Sequence, residues 1–151
     1  MRDVKNEKEK VEEFFDEYAE VYDSGKYPSV MNTNPRTAMS FADDITWHFM
    51  LKYIPKNKDI KILDAGAGDG YWAEKFIELG YEHLTLLDIS EKMLDEAKIR
   101  LSKLKEKFEA QFIKGNIIDM KELKSDLFDY AFSQYDAVSY CMKPKQALKE
   151  C

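Results

Sequence analysis

Residues 61–76 read KILDAGAGDGYWAEKF. A short apolar run enters a turn carrying Gly66, Gly68 and Gly70, and the turn opens into a helical pattern. Glycines at such a junction let the main chain approach a ligand closely, and the free amides of a helix N-terminus favour a polar or negative group. Working outward, IKILDA reads as a strand, the helix runs through Phe76 to Leu79 and is closed by Gly80, and LTLLD reads as a second strand. Strand, helix and strand in this order form a parallel unit. Ser90 is placed to cap the next helix, with Glu91 in its first turn and Met93, Leu94, Ala97, Leu101, Leu104 and Phe108 along one face. AQFIKG supplies a third strand, FDYAFSQY a fourth, and Pro144 opens a last helix.

Two helices precede this unit. Val11, Phe14, Phe15, Tyr18, Val21 and Tyr22 follow the spacing of an amphipathic helix. SGKYPSVMNTNPRT then reads as a loop, and a second helix is expected to start near Asp43 or Asp44 and to carry Ile45, Trp47, Met50, Leu51 and Ile54 before Pro55 ends it. The expectation is one domain over residues 1–151, with cap helices over 1–55 and an α/β core over 60–151.

The 151 residues suit a single core, and a 44% hydrophobic content with nine Phe and nine Tyr is that of a globular chain. A formal charge of -6 repels polyanions, so nucleic acid is not the expected partner. The one basic cluster, Lys98, Arg100, Lys103, Lys105 and Lys107, is interleaved with leucines and reads as a solvated helix face. Cys141 and Cys151 have no metal or redox spacing, no metal site is expected, the N-terminus lacks a secretory signal, and no apolar run is long enough for a membrane span. These features fit a cytoplasmic protein without a membrane partner.

Two ligand classes use a strand–glycine–helix turn. Dinucleotide sites want a third glycine where this chain has Tyr71, whereas S-adenosylmethionine sites want an acidic residue followed by alternating glycines, as in Asp64 to Gly70. Asp88, at the end of the second strand, is placed to accept hydrogen bonds from ribose hydroxyls. In KGNIIDM, Asn116 is placed to meet an adenine amine or ring nitrogen, with Ile89 and Ile117 offering apolar faces; a plain turn is the competing account of Gly115-Asn116.

Together, ILDAGAGDGYWAEKF, LLDISEKMLDEAK, FIKGNIIDM and FDYAFSQYDAVSY resemble the consecutive motifs of class I S-adenosylmethionine-dependent methyltransferases. The resemblance covers roughly Ile60 to Tyr140, and FFDEYAEVYD is similar to the N-terminal cap helix of small-molecule members. It implies a Rossmann-like three-layer α/β/α fold with parallel strands in the order 3-2-1-4. It also implies that Asp64 lies near the methionine amino group, and that Gly66, Ala67 and Gly68 border the cofactor. Asp88 would take the ribose, and Ile89, Met93, Asn116 and Ile117 would surround the nucleoside. Ser133 and Gln134 would stand beside the methionine end. Tyr18, Tyr22 and Asp136 are the catalytic candidates; tyrosine rings can favour a sulfonium through their faces. His48 reads chiefly as a partly buried helix residue.

The acceptor expected from the resemblance is a small molecule, because the Asn-Pro-Pro-Tyr and Asp-Pro-Pro-Tyr motifs are absent after the fourth strand and Cys141 follows Tyr140 where a proline would be expected. The family has seven strands, and this chain offers four. The expectation is therefore a truncated fold whose fourth strand is an apolar edge open to pairing with another copy. The rival expectation is a module that binds the cofactor without turnover, or a fragment completed by a partner.

Overall fold

The computed structural model describes residues 4–23, 38–120, 123, 127–135, 137–141 and 143–150, with the side chains of 4–7, 20–23, 38–40 and 150 excepted. Four parallel strands, β1 (Lys61–Ala65), β2 (His83–Asp88), β3 (Glu109–Lys114) and β4 (Tyr130–Phe132), form one sheet in the order β3-β2-β1-β4. Six helices accompany them among the described residues: α1 (Val4–Asp23), α2 (Ala38–Met50), α3 (Tyr71–Glu78), α4 (Glu91–Leu101), α5 (Ala137–Tyr140) and α6 (Pro144–Glu150).

Alternation along the strands builds two apolar layers. Ile62, Leu84 and Leu86 point to one face, where they pack with Phe76 and Ile77 of α3, Leu94 and Leu101 of α4, and Met50 of α2. Leu63, Ala65 and Leu87 point to the other, against Ile117, Met120 and Ala147 of α6. The Phe76 ring stacks on Phe132 of β4 at 4.8 Å and meets Trp47 of α2 edge-on at 5.5 Å, so one side chain joins a helix, a strand and a cap helix. Full burial of a side chain of this size stabilises by about 1.5 to 3 kcal/mol.

The strand register brings the carboxyl ends to one edge: Ala65 pairs with Leu87, Asp64 with Phe132, and Asp88 with Lys114. The ladder continues past the strands, with the amides of Gly66 and Ala67 donating to the Leu87 carbonyl at 2.8 and 3.0 Å and that of Gly115 to the Asp88 carbonyl at 2.8 Å. Every loop of interest leaves the sheet on the side where open α/β sheets bind ligands.

Four expectations need correction. The second helix begins at Ala38 rather than near Asp43 or Asp44, so Asp43 is not a cap; it is buried in mid-helix, and burial raises its carboxyl above the ordinary range although the Lys75 charge opposes this. Helix α4 stops at Leu101, and Leu104 and Phe108 reach the core from the turns that follow, because the bulky apolar spacing outlasts the helical hydrogen bonds. The fourth strand is only Tyr130–Phe132, shorter than the apolar run suggests. Arg100 is not part of a solvated face: it is tied to Asp69 and Glu74, as described below. The expected loop over residues 24–37 lies outside the described residues.

Candidate functional site

Above the carboxyl edge lies a cavity of about 640 Å³, within the range of roughly 300 to 1,000 Å³ typical of small-molecule sites. Its floor is the turn after β1. Gly66 and Gly68 adopt left-handed φ values of 87° and 53°. A Cβ at Gly66 would overlap the side chain of Ala137, so this glycine lets α5 close on the turn. At Gly68 a Cβ would meet no atom of the described residues within 4 Å, so among them the bare main chain leaves room for a ligand.

Asp88 fastens this turn to the end of β2. Its carboxylate accepts from the Gly68 amide at 2.8 Å and from the Ser90 amide at 2.9 Å. A carboxylate offers about four lone-pair positions, so acceptor capacity remains toward the cavity it lines. Burial raises the Asp88 carboxyl above its ordinary pKa, partly countered by amide bonds from Ser90, Gly68 and Ile89, with the Asp16 charge adding to the rise. Asp64 lies deeper, buried and off the cavity wall, with Oδ2 unpartnered among the described residues. Burial, then the charges of Asp88 and Asp69, push its carboxyl well above the ordinary range.

The turn is also held from behind. Arg100 donates through Nε to the Asp69 carbonyl at 3.0 Å, through Nη2 to the Asp69 carboxylate at 2.5 Å and through Nη1 to Glu74 at 2.8 Å. No local periodicity signals this clamp, because its partners are 31 and 26 residues away in sequence. Ser90 caps α4 by accepting from the Met93 amide at 3.1 Å, and its hydroxyl donates to Asp16 of α1 at 2.5 Å. With the Lys114–Glu12 ion pair at 2.7 Å, this draws α1 across the mouth of the cavity.

The structure brings Gly66, Ala67 and Gly68, Asp88, Ile89 and Met93, Asn116 and Ile117, and Gln134 together on the wall, with Tyr18 of α1 facing them. Asp64 and Ser133 are not on it. The Ser133 hydroxyl is buried near Gly66 without a partner among the described residues. Asp136 and the side chain of Tyr22 lie outside the described residues. His48 is exposed on α2, packs on Phe49 and does not line the cavity, so it is neither partly buried nor placed as a base. Asn116 forms the turn that competes with its ligand role: its side-chain oxygen accepts from the Ile118 amide at 3.1 Å, leaving the NH₂ to donate. Sequence reading missed Phe14, Phe15, Trp72, Tyr135 and Tyr140, which make much of the wall aromatic. Phe15 meets Tyr140 edge-on at 5.7 Å and Trp72 lies 5.7 Å from Tyr135, pairs formed across distant segments. Among the described residues no cluster of His, Cys, Asp or Glu is placed to hold a metal, and no helix is long and apolar enough to cross a membrane.

The space before Gly68, the Asp88 acceptor and the adjoining Ile89, Met93 and Ile117 fit a nucleoside with a flexible polar tail. Residues 62–151 match the family described as Methyltransferase domain, and the chain belongs to that family, the class I S-adenosylmethionine-dependent methyltransferases. No curated protein matches the chain significantly in sequence. Among solved structures, it is similar to magnesium protoporphyrin IX methyltransferase (ChlM) from Synechocystis PCC 6803 with bound SAM, at 18% identity and a TM-score of 0.70 over 95% of this chain and 69% of that one. It is also similar to the [4+2]-cyclase SpnF, at 16% identity and a TM-score of 0.75 over 93% of this chain and 53% of that one. The PH0226 protein from Pyrococcus horikoshii OT3 matches at 23% identity and a TM-score of 0.63, over 85% of this chain and 54% of that one. These likenesses establish the fold. The chain spans 69%, 53% and 54% of the length of these three structural neighbours.

Proposed function

We propose that the cavity binds S-adenosylmethionine and that the protein transfers its methyl group, in line, to a small-molecule acceptor. The observation that carries this reading is the Asp88 carboxylate, bonded to the Gly68 amide at 2.8 Å beside a turn that, among the described residues, has open space in front of Gly68. When bound, the cofactor supplies an electrophilic methyl on a sulfonium whose leaving group departs neutral. Asp88 would hold the ribose, Ile89, Met93 and Ile117 the adenine faces, the Asn116 NH₂ a ring nitrogen, and Gly66 to Gly68 the methionine portion. Asp64 and Ser133, buried beneath the turn, would support it from below.

Orientation is the main contribution open to such a site, and well-aligned pairs gain about 7 to 11 kcal/mol. Helix α1, latched through Asp16 and Glu12, places Phe14, Phe15 and Tyr18 on the wall of the cavity, where their rings cover part of its mouth. Among the described residues no histidine lines the site, so we take the base for an acceptor that arrives protonated to be one of Tyr18, Tyr22 and Asp136, of which Tyr18 lines the cavity. Residues 1–55 and 60–151 would then act as one unit, cap and core.

The likeness to a [4+2]-cyclase shows that this fold hosts more than one reaction, so the fold alone does not carry the reading. Titration calorimetry with S-adenosylmethionine and S-adenosylhomocysteine, followed by a screen for radiolabelled methyl transfer to small acceptors, tests it. Binding and transfer are expected. Binding without transfer to any acceptor would point to a module lacking turnover, and NADH binding in place of S-adenosylmethionine would overturn the cofactor assignment. Strand β4 has β1 as its one partner among the described residues, and a second copy pairing on its free edge is the association we propose. Light scattering at high concentration should detect dimers, and a strict monomer would refute the pairing.

A further inference from the structure

We infer that Tyr135 presents its aromatic face to the sulfonium, so that this residue favours the charged cofactor over its neutral product. The inference rests on the cofactor assignment above. Tyr135 is the one non-glycine residue with positive φ among the described residues, at 54°. Left-handed backbone is unfavourable for a residue that carries a side chain, a cost that glycine would avoid. Such conformations persist where the surroundings demand them, and they cluster at ligand sites.

Three observations locate the ring. Tyr135 follows Gln134 at the carboxyl end of β4 and lines the cavity with it. Its ring lies 5.7 Å from that of Trp72, tilted by 30°, and Trp72 is 3% exposed in the first turn of α3, so the tyrosine rests on a fixed platform. The segment that carries it, through Ser133 and Ala137, closes on Gly66. An elongated nucleoside ligand anchored at Asp88 and Asn116 must lay its other end along the glycine turn, toward this aromatic pair.

The electrostatics there favour a ring over a carboxylate. Asp69 is occupied by Arg100, and the Asp64 carboxyl is buried off the wall. Among the described residues, what the turn end offers a cation is the negative face of Tyr135, with Trp72 behind it. Cation–ring attraction operates at partly exposed sites and strengthens as water is displaced, and Tyr135 is 36% exposed.

The test compares affinities for S-adenosylmethionine, a cation at sulfur, and S-adenosylhomocysteine, a neutral thioether, in the parent chain and in Tyr135→Phe, Tyr135→Leu and Tyr135→Gly. Tyr135→Phe keeps the ring and should keep the affinity ratio. Tyr135→Leu and Tyr135→Gly should shift the ratio toward the thioether by about two- to thirty-fold. Tyr135→Gly should melt no lower than the parent, because glycine accepts the backbone conformation, so the shift would not reflect unfolding. A ratio unchanged in Tyr135→Gly, with both ligands still bound, would overturn the inference and leave the cofactor assignment intact. Failure of the parent to bind either ligand would overturn both.

Discussion

The inner and outer strands of the sheet differ in how they are held. In β1 and β2 all but the first residue is buried, whereas β3 alternates between exposed and half-buried positions and β4 has one buried residue, Phe132. The inner pair also supplies the groups fixed by several bonds, Gly68 and Asp88, while the outer pair supplies Asn116, Gln134 and Tyr135 on short turns. We propose a division of labour in which the interior supplies the group for the ribose, Asp88, and the edges complete the site through Asn116, Gln134 and Tyr135.

Removing interior packing should have the largest effect. Leu86→Ala in β2, at 0% exposure, should cost about 2 to 5 kcal/mol in denaturant unfolding. The half-buried Ile113→Ala in β3 should cost clearly less, and equal losses would erase the distinction. Next, Arg100→Gln asks whether the inner turn is held from outside its own strands. It leaves the buried Asp69 without its ion pair, and because the Arg100 side chain is 26% exposed we expect about 2 to 3 kcal/mol, below the cost of breaking a fully buried pair.

Binding sharpens the same contrast. Asp88→Ala should weaken S-adenosylmethionine by about 1.5 to 3 kcal/mol by calorimetry, the size of hydrogen bonds to a charged group. An unchanged affinity would remove Asp88 from the ribose role. Asp64 provides a test through pH. Its folded carboxyl holds a proton at pH values where the unfolded one has lost it, so the native state binds more protons across that window and loses stability as pH rises through it. Asp64→Asn should therefore melt above the parent at neutral pH, and the gap should begin to close as pH falls below the folded pKa. A gap that widens in acid would show the opposite sign. The smallest effect is expected at the edge, where Asn116→Ala should lose about 0.5 to 1.5 kcal/mol of cofactor affinity, the worth of a neutral hydrogen bond.

Much of the inner pair was legible in the sequence because its signals are local. Gly66, Gly68 and Gly70 announce a turn with positive φ, and all three have it. Ser90 announces a cap and accepts from the Met93 amide. Apolar runs announce strands, and the sheet has the order that the family resemblance implied for them, 3-2-1-4. The start of α2, the end of α4 and the length of β4 were not legible, since each depends on where packing and ladder hydrogen bonds end rather than on residue type. Arg100 shows the limit most plainly: within its own helix it is one more cation, and only the fold sets it beside Asp69.

The sequence by itself determined the strand and helix segments, the glycine turn and the acidic residue at the end of the second strand, because these rest on backbone freedom, capping and periodicity within a few residues. Tertiary structure alone decided which aromatic rings line the cavity, that Asp64 and Ser133 lie beneath its wall, and that Asn116 spends its carbonyl on a turn. Those outcomes depend on side chains from distant segments competing for the same space and the same hydrogen bonds, and such competition is settled only when the chain is packed.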